Sequence, residues 1–269
     1  TRHPPPPPRP PPPHPHHRPS HTFTFPAPER LADLAARSVS KTYGSQTAVS
    51  DVTLDVAPGE VVGLLGANGA GKTTLMRMAC GLVKPTAGAV RVLGEQPPYP
   101  PAVARQVGAA LDTPAFYRWM TGPAQLRSLL HSSGLPDRGE PLAALRRVGL
   151  EDEARKRIRA YSQGMRQRLA LAAALMRGPR LLVLDEPTNA LDPHAVVMVR
   201  ELIRREAESG TAVLVSSHQL DEVQRVCDRV VVMDRGTVVA SGALDEIGLG
   251  GAESLEDWFF RISGHKGSW

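Results

Sequence analysis

The sequence has 269 residues, of which 41% are hydrophobic and 4% aromatic, and it carries a formal net charge of +5. This apolar content suits one large or two small domains with an aliphatic core, and it excludes a collagen or a wholly disordered chain. The two cysteines are too few for a disulfide scaffold and favour a reducing cytoplasm, and the longest apolar run, Leu169 to Met176, is too short for a membrane-spanning helix.

The N-terminal stretch, residues 1–28, differs in composition from the rest of the chain. It holds 13 of the 26 prolines and five of the nine histidines. Proline fixes φ and lacks an amide donor, so this composition predicts a disordered extension rich in polyproline II. Two functional alternatives are a ligand for a proline-binding domain and a metal site at His14, His16 and His17. No apolar stretch typical of a signal peptide is present in it.

From Ala36 onward the pattern predicts short aliphatic strands that alternate with helices. Residues 49–56 alternate apolar and polar side chains, as a half-exposed strand does, and residues 60–65 (EVVGLL) predict a short buried strand. Further strand candidates share this apolar character and lie at 89–93, 107–111, 181–185, 212–216 and 229–234. Residues 123–177 have a helical periodicity instead. We therefore predict a mixed α/β fold with a helical insertion.

A glycine-rich loop follows the predicted strand at 60–65. It fits the phosphate-loop pattern G-x-x-x-x-G-K-[ST] at every fixed position with Gly66, Ala67, Asn68, Gly69, Ala70, Gly71, Lys72 and Thr73. Glycines let phosphate oxygens approach the backbone, and the helix predicted from Lys72 adds free amides and the positive end of its dipole. Lys72 would then reach the β- and γ-phosphates, and Thr73 would bind Mg²⁺.

An acidic pair ends the predicted strand at 181–185. Asp185 and Glu186 follow four aliphatic residues, Leu181 to Leu184, which are typical of a strand buried on both faces of a parallel sheet. Ligands bind at the carboxyl ends of such strands. This position allows Asp185 to hold Mg²⁺ and Glu186 to act as general base toward a water molecule. A solvated acidic turn is the alternative for this motif taken alone.

Four further motifs occur along the chain. They are Lys41-Thr42-Tyr43-Gly44, the run from Tyr161 to Leu169 (YSQGMRQRL), Asn189-Ala190-Leu191-Asp192 and Ser216-Ser217-His218. Each has a purely structural alternative: a core tyrosine, a helix N-cap at Ser162, a turn that caps a helix near Pro193, and a surface histidine.

With these motifs in this order, the sequence resembles the nucleotide-binding subunit of ATP-binding cassette (ABC) transporters, in the multidrug and antibiotic-resistance exporter branch. The resemblance covers about residues 34–263. It implies an α/β phosphate-loop ATPase core with an antiparallel β subdomain and a helical subdomain at about 115–177. It also implies ATP and Mg²⁺ as cofactors, a second nucleotide-binding subunit and a peripheral location on the cytoplasmic face of the membrane. ATP hydrolysis would power a separate transmembrane permease that exports a drug, an antibiotic or a lipid.

The resemblance also implies roles for individual residues. Tyr43 would stack on adenine, Thr74 would extend the phosphate loop, and His218 would contact the γ-phosphate beside Glu186 and Lys72. The signature motif would close over nucleotide held by the opposite subunit, through Ser162, Gln163, Gly164 and Met165. Asp192 belongs to the loop that connects the two sites across the dimer. Gln163 and Met165 depart from the commonest signature.

Asp112 occupies the position of the family's glutamine loop. Many relatives have glutamine there, and relatives of this branch often have glutamate. We expect Asp112 to approach Mg²⁺ through water.

Two other functions compete with transport. The first is a soluble cassette ATPase that acts on ribosomes or DNA. The single cassette and the spacing of 113 positions from Lys72 to Asp185 leave no room for a second cassette or a coiled coil. We therefore expect no nucleic-acid partner. The second is a non-enzymatic protein that interacts through its proline tail, which would leave the phosphate-binding motifs unexplained.

Overall fold

The computed structural model describes residues 32–111 and 115–244. The proline-rich tail at 1–28 and Asp112 lie outside the described residues, as does the end of the region of resemblance. The helical-subdomain boundaries stay a prediction.

Strands and helices alternate along the described part of the chain, as the sequence predicts. In chain order the strands are β1 (Leu34–Tyr43), β2 (Gln46–Val56), β3 (Val61–Leu65), β4 (Ala87–Val92), β5 (Val107–Ala110), β6 (Leu181–Asp185), β7 (Ala212–Ser217), β8 (Arg229–Asp234) and β9 (Thr237–Ala243). The α-helices are α1 (Lys72–Ala79), α2 (Pro101–Ala104), α3 (Gly122–Ser132), α4 (Glu140–Arg147), α5 (Gln163–Leu175), α6 (Pro193–Glu208) and α7 (Leu220–Val226). A 3₁₀ turn spans Ile158–Ala160.

The strands form two sheets. The smaller has the order β2-β1-β4 and is antiparallel. The larger has the order β5-β6-β7-β3-β8-β9 and is parallel except for the terminal β8–β9 hairpin. Helices α3, α4 and α5 occupy the stretch where the sequence predicts a helical insertion, and their apolar side chains share one core with the large sheet. The predicted fold class is therefore confirmed.

Strand β1 does not show the regular alternation of apolar and polar residues from which a strand is predicted. Leu34, Ala36 and Val39 are all buried, so the spacing between inward-facing residues changes from two to three. The pairing with β2 shifts register between Ala36 and Val39, and Ser38 between them has a φ of 48°. Such a bulge adds one residue to the strand and breaks the period-2 pattern.

The parallel part of the large sheet brings three strand ends to one edge. The register pairs Leu65 with Ser217 across β3 and β7, and Asp185 with Ser216 across β6 and β7. The loop at 66–71, the acidic pair and His218 therefore leave neighbouring strands side by side. No helix in the described residues is long and apolar enough to cross a membrane.

Candidate functional site

The loop after β3 leads into an uncapped helix N-terminus. Helix α1 begins at Lys72, and its N-cap, Gly71, offers no side-chain acceptor to the first amides. The first turn contains no acidic residue either. The first amides of a helix have no partner within the helix and carry its positive dipole end. This terminus is therefore available to an anion.

Two positions of the loop require glycine because neighbouring backbone leaves no space for a Cβ. A Cβ on Gly66 would lie 2.3 Å from the carbonyl oxygen of Met233, and a Cβ on Gly71 would lie 2.5 Å from that of Ala48. Both residues also have positive φ, 155° and 102°. The loop is thus packed tightly against β2 and the end of β8.

Lys72 lies across this loop. Its ammonium group donates hydrogen bonds to the carbonyl oxygens of Gly66 at 2.5 Å and Ala67 at 3.3 Å. It also lies 3.9 Å from Oε1 of Glu186. The residue is only 5% exposed, and this burial lowers its pKa, although the carboxylates of Glu186 and Asp185 oppose that effect. A buried cation beside a glycine-rich loop favours an anionic ligand.

Two side chains with oxygen atoms suited to a metal ion, Thr73 and Asp185, lie beside Lys72. The Thr73 hydroxyl donates to Oδ2 of Asp185 at 2.7 Å. Ser216, which is fully buried, donates a hydrogen bond to Oδ1 of the same carboxylate and accepts one from the Glu186 amide at 2.9 Å. A hydroxyl beside an oriented carboxylate is the ligand type that Mg²⁺ prefers.

Glu186 and His218 form a second pair. His218 Nδ1 lies 2.8 Å from Oε2 of Glu186. Glu186 has a φ of 48°, in the left-handed region that few residues other than glycine adopt. This backbone conformation directly follows the strand end and turns the side chain toward Lys72 and His218. A carboxylate oriented by a histidine can accept a proton from water.

A cavity of about 530 Å³ joins these groups. Predicted site residues contribute most of its lining, namely Tyr43, Ala67, Asn68, Gly69, Ala70, Gly71, Lys72, Thr73, Thr74, Asp185 and Glu186. Tyr43 is 47% exposed at its rim. Gly66 and His218 do not line the cavity, and His218 reaches the site only through its contact with Glu186.

Sequence reasoning missed four residues that line the cavity and one that supports it. Gln46, Thr47 and Ala48 at the start of β2, and Arg235 at the β8–β9 turn, contribute to the wall. Thr47 lies beside Tyr43 because the β1–β2 hairpin pairs it with Thr42. Nothing in the sequence indicated that the β8–β9 turn reaches the loop. The role of Ser216 follows only from its register with Asp185.

The signature residues lie at another helix start. Ser162 caps α5: its Oγ accepts from the Met165 amide at 3.1 Å, and its own amide donates to Met165 Sδ at 3.5 Å. Ser162 and Gln163 are exposed. None of Ser162, Gln163, Gly164 and Met165 lines the 530 Å³ cavity of the same chain.

The loop at 189–192 packs on this helix start. A Cβ on Gly164 would lie 3.0 Å from the carbonyl oxygen of Ala190. Asp192 then caps α6 by accepting a hydrogen bond from the Ala195 amide at 2.9 Å. The structural alternatives considered for Ser162 and Asp192 are therefore both realised, and they leave the functional roles open.

Comparison with known proteins decides the family. A model described as ABC transporter matches residues 49–189. The chain is 42% identical to the ABC transporter ATP-binding protein YxlF of Bacillus subtilis, over 80% of this chain and 72% of that one. The chain belongs to the ABC transporter ATP-binding subunits.

Two further relatives of this cassette have named transport roles. A bacitracin transport ATP-binding protein of Enterococcus faecalis is 39% identical over 80% of this chain and 70% of that protein. A lantibiotic transport ATP-binding protein of Streptococcus pyogenes is 31% identical over 84% of this chain and 95% of that protein. These names are consistent with the antibiotic exporter branch.

Solved structures agree with the fold. An ATP-binding subunit of an ABC transporter superposes with a TM-score of 0.77 at 32% identity, covering 86% of this chain and 99% of that one. A dimeric ATP-binding cassette in a post-hydrolysis state, bound to ADP and Pi, gives 0.72 at 25% identity, over 78% of this chain and 98% of that one. The cassette is thus an ATPase that binds ATP, as the resemblance implied.

Proposed function

We propose that this cassette hydrolyses ATP in the 530 Å³ cavity and thereby powers a separate membrane permease that exports an antibiotic. The observation that carries the site assignment is the convergence in one cavity of the uncapped α1 terminus, Lys72, the Thr73–Asp185 pair and Glu186. The helix terminus and Lys72 suit the phosphates of a nucleoside triphosphate, Thr73 and Asp185 suit its Mg²⁺, and Glu186 suits the attacking water.

Different residues along the cavity have different roles in this proposal. Loop amides and Lys72 hold the β- and γ-phosphates, and Tyr43 at the rim stacks on the base. Glu186 takes a proton from the attacking water, and His218 holds that carboxylate in place from its other side.

The donor set at the base of the cavity fits Mg²⁺. Thr73 and Asp185 supply two oxygen ligands 2.7 Å apart, and Mg²⁺ usually keeps waters and phosphate oxygens in its remaining positions. When bound, Mg²⁺ neutralises charge on the phosphates. Asp112 lies outside the described residues, and its approach to Mg²⁺ through water stays a proposal.

Two copies complete each site in this proposal. The signature residues of one chain lie outside its own nucleotide cavity, so their exposed helix start is free to meet a phosphate held by another copy. The dimeric cassette among the similar structures supports this arrangement. The permease would contact the helical region at about 115–177 on the cytoplasmic face of the membrane.

The relatives' names suggest a cargo class, since bacitracin and lantibiotics are both peptide antibiotics. No comparison favours the alternative of a soluble cassette that acts on ribosomes or DNA. The test of export is antibiotic resistance in a sensitive host that expresses a candidate permease with the wild-type cassette or with Lys72→Ala. Resistance to bacitracin or a lantibiotic only with the wild-type cassette would support the proposal, and equal resistance would overturn it.

The hydrolytic assignment is tested with Glu186→Gln. We expect this variant to bind ATP and to lose about 10²–10⁴-fold in turnover, because a general base typically contributes that factor. Glu201→Gln is the matched control, because Glu201 is an exposed partner of Arg205 on α6. Phosphate release and nucleotide binding are measured on the same preparations. Normal turnover by Glu186→Gln would contradict the assignment.

A further inference from the structure

Arg235 stands at the nucleotide cavity without a role in the mechanism above. It lies at the tip of the β8–β9 hairpin, where Asp234 pairs with Thr237 and leaves a two-residue turn. Lys72 and Arg235 are the two cationic side chains that line the cavity within the described residues. Lys72 is buried at the end that holds Asp185 and Glu186, whereas Arg235 is exposed.

The turn that carries Arg235 is held rigidly against the phosphate loop. The Gly236 amide donates to the Ala70 carbonyl at 3.0 Å, and the Gly236 carbonyl accepts from the Ser50 amide at 2.8 Å. The Cα of Gly236 would lie 3.3 Å from a Cβ on Gly71. The backbone of Arg235 is therefore fixed beside the last residue before α1, and only its side chain is free to move.

The residue type at this position is unfavourable for the turn itself. Arg235 has a φ of 44° and Gly236 a φ of 86°, the pattern of a turn with two left-handed residues. Asparagine, aspartate and glycine fit the first of these positions, and arginine does so only against a steric cost. No hydrogen bond or ion pair of its guanidinium to another described residue compensates for that cost.

The location of the Arg235–Gly236 turn along the cavity indicates which part of a bound nucleotide Arg235 would contact. Tyr43 pairs with Gln46, and the cavity wall continues through Thr47 to Ala48, which touches the Arg235–Gly236 turn. The turn thus lies between the rim at Tyr43 and the end occupied by Lys72. A nucleotide with its base at the rim and its β- and γ-phosphates at Lys72 places its α-phosphate there.

We propose that the Arg235 guanidinium binds the α-phosphate of the nucleotide. This inference rests on the proposed nucleotide site and adds a ligand contact to it. A guanidinium is suited to phosphate because its planar set of donors matches the phosphate oxygens. Since ATP and ADP share the α-phosphate, the contact holds both nucleotides and does not distinguish them.

The test is Arg235→Asn, measured by calorimetry with MgADP and with ATP in EDTA, where Mg²⁺-dependent hydrolysis does not interfere. Asparagine fits the left-handed position, so the turn and the thermal stability should be kept or improved. We expect ATP and ADP to bind about tenfold more weakly, by the same factor, and this difference from wild type to shrink as salt is raised. Arg225→Gln, which removes an exposed arginine outside the cavity, should change neither affinity.

Each other outcome counts against the proposal. Unchanged affinities in Arg235→Asn would overturn it. A loss confined to ATP would place the guanidinium at the γ-phosphate, and an altered preference for ATP over GTP would place it at the base. Lys72→Ala is measured in parallel. If Lys72→Ala loses the nucleotide binding of wild type while Arg235→Asn keeps it, only the Arg235 proposal is overturned. Absence of ATP binding by wild type would remove the nucleotide site as well.

Discussion

The carboxylate of Asp185 is held from two sides before any ligand arrives. Thr73 on α1 donates to one oxygen, and Ser216 on the neighbouring strand donates to the other. Ser216 also accepts the Glu186 amide, so one buried hydroxyl orients both acidic residues of the site. Partners of this kind fix the direction of metal-binding groups. In the proposed site, Ser216 is therefore a positioning residue.

Ser216→Ala should weaken both stability and activity. The Glu186 amide and one Asp185 oxygen lose their partner, which costs about 1–3 kcal/mol in the free energy of unfolding. We expect a higher Mg²⁺ requirement and about 10–100-fold lower turnover, measured by titrating Mg²⁺ in an ATPase assay. Ser217→Ala is the control, because Ser217 is also buried but bonds only to the Gln219 backbone. Equal Mg²⁺ titrations for the two variants would contradict this role.

Helix starts are used in two ways in this cassette. Helix α1 has no side-chain cap and opens onto the cavity, whereas Ser162 caps α5 and Asp192 caps α6. A side-chain cap satisfies one of the free amides of a helix start, while an uncapped start leaves all of them to a ligand. The α6 cap also fixes the loop that packs against Gly164. The stability of this element therefore bears on the geometry of the signature.

The α6 cap should make stability depend on pH in acid. The hydrogen bond from the Ala195 amide holds the pKa of Asp192 below its usual range. Because the folded-state pKa is depressed, the cap's contribution is complete above the unfolded-state pKa of about 3.9 and is lost as pH falls through the folded-state pKa. We expect wild type to exceed Asp192→Ala in the free energy of unfolding at neutral pH, and this excess to vanish in strong acid.

Asp192→Asn separates capping from charge. Its amide oxygen accepts the same hydrogen bond but does not titrate, so its advantage over Asp192→Ala should stay constant over the acidic range. Urea titrations of the three proteins at several pH values measure these differences. An acid-dependent advantage for Asp192→Asn would show that another group causes the effect.

At the scale of the whole molecule, motifs and buried strands were predictable because their signals are local. The phosphate loop, the strand that ends at Asp185 and the cap at Ser162 each depend on neighbours in sequence, and the structure contains all three. The bulge in β1 was not predictable, because it interrupts the alternation on which strand assignment relies. Arg235 and Ser216 reach the site through sheet register and hairpin packing, which single-sequence patterns do not encode.

The separation of signature and cavity within one chain leads to a prediction about the dimer. The cavity wall includes none of residues 162–165, so a site built from one chain lacks the signature. Gln163→Glu places a negative charge in the first turn of α5, which favours the helix but repels a phosphate. It should fold as well as wild type and fail to close over nucleotide. Lys72→Ala fails on the opposite side of the same interface.

Mixing these two inactive chains should restore activity. In a mixed dimer the intact phosphate loop of the Gln163→Glu chain faces the intact signature of the Lys72→Ala chain, so one of the two sites is complete. Random pairing of equal amounts then gives about a quarter of the wild-type sites in a symmetric dimer. ATPase activity or trapped nucleotide in the mixture, absent from each variant alone, is the expected result. Since a site formed within one chain would leave both chains broken after mixing, the absence of any recovery would place the signature and the phosphate loop in the same subunit's site.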